Sequence, residues 1–287
     1  MNRTVLFVVH AGRERAIEVS RAVATGLMAH GIRVVCADDD SELLNISGIS
    51  AADDSSDCEL VIVFGGDGTI LRAIEIARPH DVPVLGVNLG HVGFLAEAEP
   101  DDIDAVISAV VNGELVIEER TALQIDVTDA DGRTWKSWAL NEVAIEKHHR
   151  ERMANVLVSI DGEALSQWSC DGVLCSTPTG STAYAFSAGG PVVWPQVDAF
   201  LVVPISAHAL FARPMVVSPE SMIDVSVTTG PVLVSCDGRR MTDVATGGSV
   251  HVVRATQPVK FARVHSTTFT ARLVAKFELP VRGWRNK

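Results

Sequence analysis

No apolar run in this 287-residue chain approaches the ~18–20 residues that a membrane-spanning helix requires. Cysteine is scarce: Cys36, Cys58, Cys170, Cys175 and Cys236 make an odd set with no CxxC pair, which excludes a disulfide-stapled scaffold. That set reads as reduced thiols in a cytoplasmic protein. The nine histidines form no HExxH and no His/Cys cluster, so no metal is expected to be held by the protein alone. Basic residues are in deficit, 24 Lys plus Arg against 36 Asp plus Glu, for a formal net charge of −12. A chain so acidic has no general field for nucleic acid or an anionic membrane, and any anionic ligand must be held by local donors. The 22 glycines and 12 prolines follow no period, which removes a collagen-like chain. What is present is 47% hydrophobic residues, enough to bury a core that offsets the entropy of ordering. The apolar stretch in residues 1–10 is too short for a signal sequence and reads as a buried first strand. The length favours two domains.

The first 120 residues alternate between two periods. Apolar runs at 5–9, 32–37, 60–64 and 82–89 read as buried strands. Between them Ala16, Val19, Val23 and Leu27, then Ile70, Ile74 and Ala77, then Ile103, Val106, Ile107 and Val110, recur at helical spacing. Pro100-Asp101-Asp102 is expected to open the last of these helices. This alternation predicts a mostly parallel sheet covered on both faces. The acidic stretch 38–59 reads as a structureless flap. From Arg120 the texture changes to many short alternating segments with Asp131-Gly132 and Asp161-Gly162 turn signals, the pattern of a β-sandwich. The segments at 200–204, 222–228, 232–236, 249–253 and 259–264 are counted among its strands. Phe269, Leu273 and Phe277 then return to helical spacing, so a tail is expected to pack back on the α/β layer. The boundaries predicted are 1–119, with 268–287 returning to it, and 120–267.

The sharpest local signal is Gly65-Gly66-Asp67-Gly68-Thr69 between a buried strand and a helix. Glycines let the backbone approach a ligand, and N–H groups beside a helix N-terminus cradle phosphate. Neither a Walker A pattern nor GxGxxG is present. Asp67 is the odd element, because a carboxylate inside a phosphate cradle is repelled unless it takes a proton or faces a metal. It suits a hydroxyl-proton acceptor in phosphoryl transfer, and equally a plain helix cap. Arg72, one turn on, either reaches a phosphate or is an ordinary exposed helix residue.

Two further clusters carry polar chemistry. Asn141 and Glu142 suit recognition of a cis-diol, or else belong to an exposed edge strand; as neighbours on a strand they would share a task only at a bend or a strand end. The segment 170–191 is dense in Ser, Thr and Gly and holds Tyr184, the only tyrosine. It reads either as a flat-ligand pocket or as a surface loop entering a helix near Ser181. Lys147-His148-His149-Arg150 with Arg152 reads as a hairpin tip of solvated charge, and His208 and Arg213 as structural residues near an interface.

The glycine turn is similar to that of NAD kinases, diacylglycerol and sphingosine kinases, and 6-phosphofructokinases. Taken jointly, residues 65–69, 88–95, 140–142, 171–184 and 236–238 resemble the motifs of bacterial NAD kinases in order and spacing, over nearly the whole chain. Lipid kinases lack the Asn-Glu and Thr-Gly-Ser-Thr-Ala-Tyr segments. The resemblance implies a Rossmann-like α/β domain followed by a β-sandwich and a returning C-terminal tail. It also implies transfer of the γ-phosphoryl group of ATP, supplied with Mg²⁺ or another divalent cation, to the adenosine 2′-hydroxyl of NAD. By resemblance Asp67 acts on that hydroxyl. Asp67, Gly68, Asn141, Glu142, Asp171, Thr179, Thr182, Ala183, Tyr184 and Ser187 bind NAD, with Asp237 near the site. Gly65, Gly66, Gly68, Thr69 and Arg72 form the donor-phosphate loop, and His91 takes no role. Relatives use ATP or inorganic polyphosphate and form homodimers or homotetramers through the β domain. The rivals are a lipid kinase, which predicts an acyl slot, and a non-catalytic NAD(P) sensor, against which Asp67 argues.

Overall fold

The structure, a computed structural model, describes residues 3–37, 40–52, 54–87, 89, 93–96, 103–148, 152–264 and 268–281. Two compact units make up the chain, Met1–Glu119 with Val259–Lys287, and Arg120–Pro258.

The first unit runs through β1 (Thr4–Val9), α1 (Glu14–Ala29), β2 (Arg33–Ala37), α2 (Asp40–Leu44), β3 (Ser50–Ala52), β4 (Leu60–Phe64), α3 (Asp67–Ala77), β5 (Val84–Val87), α4 (Ile103–Asn112) and β6 (Val116–Arg120). The second holds β7 (Leu123–Thr128), β8 (Thr134–Ala139), β9 (Glu142–Lys147), β10 (Ala154–Ile160), β11 (Glu163–Cys170), β12 (Gly172–Ser176), α5 (Tyr184–Ser187), β13 (Phe200–Ile205), β14 (Met215–Val217), β15 (Ile223–Thr229), β16 (Val232–Cys236), β17 (Arg240–Val244) and β18 (Ser249–Arg254). The chain then returns to the first unit with β19 (Val259–Arg263) and α6 (Phe269–Phe277).

The first unit's sheet has the order β3-β2-β1-β4-β5-β19-β6, with parallel pairing from β3 through to β19. Every residue of β1, β4 and β5 is buried, as their continuous apolar runs require of strands covered on both faces. Helix α1 buries Ala16, Val19, Val23 and Leu27, the stripe its spacing predicts. Phe7 and Phe64 meet at 4.9 Å on neighbouring strands and are fully buried, each side chain contributing roughly 1.5–3 kcal/mol by leaving water. The C-terminal end of β4 thus leaves a rigid central strand and turns directly into α3.

The second unit is a pair of six-stranded antiparallel sheets, β11-β10-β15-β18-β7-β8 and β14-β13-β12-β9-β16-β17. Their inner faces, including Ile125, Val156, Trp168, Val143, Val173 and Val234, form one core. On the outer face of the second sheet Ala144, Leu174, Leu201 and Val203 pack with Ala185 and Val193. The segment carrying Tyr184 therefore lies on β9 and β12.

Three expectations change. The stretch 38–59 holds α2 and the edge strand β3 instead of being structureless, because Leu44 is fully buried, Arg21 donates to the carbonyls of Leu43 and Leu44, and Asp40 accepts from the Val9 N–H. The strand at 259–264 is not in the β-sandwich: Phe261 pairs with Val84 in the parallel sheet, so the return begins before the tail helix. Lys147 is not at a solvated tip but ends β9, paired with Asp171 at 2.6 Å, and His148 pairs with Asp243 at 3.3 Å. His91, His149, Arg150 and Pro100-Asp101-Asp102 lie outside the described residues.

Candidate functional site

In the first unit, α3 starts straight after Gly65-Gly66, with Gly66 as its N-cap in an extended conformation. A β-carbon at Gly65 would lie 2.5 Å from the Thr69 hydroxyl, so close packing inside the turn excludes one there. At Gly66 and Gly68 a β-carbon would meet nothing within 4 Å among the described residues, so packing does not explain the glycines. Open backbone at the N-terminus of an 11-residue helix is what an approaching phosphate needs.

Asp67 does not cap α3. Its Oδ2 accepts from the Phe94 N–H and its Oδ1 from the Leu95 N–H, each at 3.2 Å. The side chain is partly exposed, and long single bonds to each oxygen leave lone pairs on both for another donor. The carboxylate is thus turned away from its own helix onto residues 93–96. Gly93 makes that approach possible, since a β-carbon there would sit 2.4 Å from Oδ1. The 94–95 backbone is itself held from behind: Arg272 donates to the Phe94 carbonyl at 2.9 Å and Arg263 to the Leu95 carbonyl at 3.3 Å. Arg72 points elsewhere, to Asp40 at 2.9 Å.

In the second unit, Leu140-Asn141 links β8 of one sheet to β9 of the other, so the Asn-Glu pair sits at a strand end, the one geometry in which neighbours share a task. Both edges of this link are pinned. Asp237 accepts from the Leu140, Asn141 and Glu142 N–H groups at 2.9, 2.7 and 3.3 Å. On the other edge, Ser176 Oγ and the Thr177 N–H donate to the Asn141 carbonyl at 3.0 and 2.9 Å, and the Thr177 hydroxyl donates to the Leu140 carbonyl. A β-carbon at Gly180 would lie 2.0 Å from the Asn141 carbonyl oxygen, so that glycine is what seats Thr179–Thr182, a 3-10 turn, against the pair. Thr179, Gly180 and Ser181 are buried, so this segment is not a surface loop.

Asp237 and Gly238 both have positive φ, 53° and 66°, in the tight turn between β16 and β17. The turn folds the carboxylate back under residues 140–142, where Arg240 meets it at 2.9 Å while stacking over Trp138. Burial raises the Asp237 carboxyl, and its N–H donors and Arg240 pull it back down. Burial, with Asp237 beside it, pushes the Glu142 carboxyl up to about 8, against the Tyr184 N–H that stabilises its charge. A carboxyl so raised can donate as well as accept while it holds its proton. Its Oε2 is buried without a hydrogen-bond partner among the described residues. Tyr184 donates its hydroxyl to Glu146 at 2.7 Å; burial first, then Glu146, pushes that phenol up to about 12. Asp171 is held by Lys147 at 2.6 Å, and the same hydrogen bond keeps its carboxyl below the usual range.

Asn141, Glu142, Thr179, Thr182, Ala183, Tyr184 and Asp237 therefore form one cluster in the second unit. Gly65, Gly66, Asp67, Gly68 and Thr69 form another in the first. Ser187 is exposed at the end of α5, beside the second cluster. Residues that pattern reading passed over are Glu146 and Arg272. Arg272 had a signal, since it falls three residues after Phe269 on the apolar face of a helix.

Residues 5–115 match the ATP-NAD kinase N-terminal domain and residues 140–264 the ATP-NAD kinase C-terminal domain. An NAD kinase of Mycobacterium tuberculosis is 49% identical over 304 residues, covering 100% of this chain and 99% of that protein. The chain belongs to the ATP-NAD kinase family. An NAD kinase of Thermobifida fusca is 48% identical over 303 residues, covering 100% of this chain and 92% of the relative. Among solved structures, an NAD kinase from Archaeoglobus fulgidus in complex with ATP has a TM-score of 0.73 at 26% identity, over 96% of this chain and 99% of that one. A yeast NADH kinase complexed with NADH has a TM-score of 0.89 at 22% identity, over 100% of this chain and 90% of that one, a likeness of fold.

Proposed function

We propose that this chain transfers the γ-phosphoryl group of ATP to the 2′-hydroxyl of the adenosine ribose of NAD, giving NADP and ADP. The observation that carries the reading is the orientation of Asp67, turned from its helix and left with free lone pairs beside an open glycine turn. In the transfer, the ribose 2′-oxygen bonds to the γ-phosphorus and the bond from that phosphorus to the β–γ bridging oxygen breaks. The 2′-hydroxyl proton passes to Asp67 and ADP leaves. Such a reaction asks chiefly for in-line placement and for neutralised charge. The N–H groups at Gly66 and Gly68 serve the donor phosphates, with ATP arriving as its complex with Mg²⁺ or another divalent cation. Arg72, paired with Asp40, is available to the donor only by exchanging that partner.

Asn141 and Glu142 take ribose hydroxyls. Thr179, Thr182, Ala183, Tyr184 and Ser187 surround the adenine, and Asp171 binds at the same pocket. Asp237 supports the pair from beneath rather than touching NAD. Inorganic polyphosphate ends in the same phosphoryl group and is the alternative donor. No described helix is long and apolar enough to cross a membrane, and the cytoplasm, where ATP and NAD meet, is the proposed compartment. A homodimer or homotetramer would form through the β unit, where Leu210, Phe211 and Val216 are exposed.

The test is NADP formation from NAD, Mg²⁺ and either donor, by the wild type and by Asp67→Asn. The amide keeps the shape and removes the acceptor. Turnover is expected to fall at least ~10²-fold with the KM for NAD little changed. Normal turnover by Asp67→Asn would overturn the acceptor role.

A further inference from the structure

We infer that Arg272 of α6 is a positioning residue for Asp67, acting through the single peptide group that joins Phe94 to Leu95. The inference rests on the reading of Asp67 as the proton acceptor. The Arg272 guanidinium donates to the Phe94 carbonyl at 2.9 Å. The N–H of that same peptide, belonging to Leu95, donates to Asp67 Oδ1 at 3.2 Å. A cation on the carbonyl polarises the amide and makes its N–H a stronger, better-aimed donor, the cooperative effect of a hydrogen-bond chain. Neighbouring contacts fix the same segment: Arg263 holds the Leu95 carbonyl, and the Phe94 ring lies 6.0 Å from Phe269 and 5.9 Å from Phe277, both on α6.

Arg272 is placed for this task at a cost. It is buried to 8% exposure, and burial lowers its guanidinium from the ordinary range while the Asp67 carboxylate draws it back up. A guanidinium keeps its charge throughout the physiological range, so a permanent cation stands behind the carboxylate. A helix that merely covered the sheet would be served by leucine there, since a buried charge adds little to stability over an apolar residue of similar volume. Helix α6 is also set by its own cap, with Thr268 Oγ1 accepting from the Ala271 N–H at 3.3 Å. The return of the chain to the first unit thereby reaches the reacting turn without touching substrate.

The experiment is a double-mutant cycle on the full chain, with kcat and KM for NAD measured for wild type, Arg272→Gln, Asp67→Asn and the double variant, and melting temperatures to confirm folding. Arg272→Gln is expected to lower kcat about tenfold with KM for NAD within about twofold. In the Asp67→Asn background the same change is expected to cost less than about twofold, since the group it acts through is gone. Arg272→Lys, which keeps the charge on a less rigid donor, is expected to lie only about threefold below wild type. An equal loss in both backgrounds marks a merely structural residue and overturns the inference, as does wild-type kcat in Arg272→Gln. Should the Gln variant not fold, Arg272→Lys carries the cycle: its loss must vanish with Asp67→Asn, and an equal loss in both backgrounds or no loss at all overturns the inference. An Asp67→Asn enzyme that turns over normally removes the acceptor role and this inference together; an inert one beside an unchanged Arg272→Gln removes this inference alone.

Discussion

Asp67 and Asp237 are both aspartates fixed by backbone N–H groups of another segment, and both have an arginine close behind. They differ in what is left over. Asp237 has a side chain only 1% exposed and takes three N–H bonds and Arg240, so its acceptor sites are filled and it serves as a bracket under residues 140–142. Asp67 is partly exposed, takes one long bond on each oxygen, and keeps its arginine one peptide away. The same residue type is saturated in one place and, in the proposed mechanism, left open to act as a reagent in the other. That contrast carries over to the glycines that let each arrangement form.

Gly180→Ala should give the largest effect. Its β-carbon would meet the Asn141 backbone carbonyl at 2.0 Å, and backbone cannot step aside without moving β9. A loss of about 3 kcal/mol or more in unfolding free energy, or failure to fold, is expected in a urea titration. Gly93→Ala makes the same change against Asp67, where the atom met at 2.4 Å is the tip of a side chain. Here the carboxylate swings and the backbone stays. Stability should shift by less than about 1 kcal/mol while kcat falls roughly tenfold, because a misplaced reacting group costs rate. If Gly93→Ala unfolds the protein or leaves kcat untouched, the division into scaffold and reagent fails.

The sheets were legible where one period dominates: β1 and β4 as continuous apolar runs, α1 as a four-residue stripe, β7 and β10 as alternations. The glycine turn and the 170–191 segment also stand out by residue type, though residue type left pocket and surface loop both open for the second. Two things were hidden. The strand at 259–264 has the texture of its sandwich neighbours, and only pairing with Val84 assigns it to the parallel sheet; a short apolar run carries no address. The stretch 38–59 looked structureless because its order comes from Leu44, Asp40 and Arg21 reaching distant partners. The number of donors around Asp67 and Asp237 was equally out of reach, because those donors come from segments 27 and 96 residues away in the chain.

The remaining test reads the dinucleotide side through protons. Glu142 titrates near 4.5 when exposed and is pushed up to about 8 in the folded chain. Between these limits the native state binds a proton that the unfolded state has released, so stability is fullest below about pH 4.5 and is lost as pH rises through about 8. Glu142→Gln removes the titration while keeping the shape of the neutral acid. The fall in unfolding free energy across that window should flatten, by at most about 1.4 kcal/mol per pH unit. Asp237, raised in the same direction by burial, leaves some slope behind. Because Gln imitates the protonated acid, the KM for NAD should change least below about pH 8 and most above it, where the wild type ionises. Parallel stability curves for the two proteins would mean that Glu142 is already ionised at neutral pH, and the pocket would then be recognising hydroxyls with a charged acceptor on the dinucleotide side as well as at Asp67.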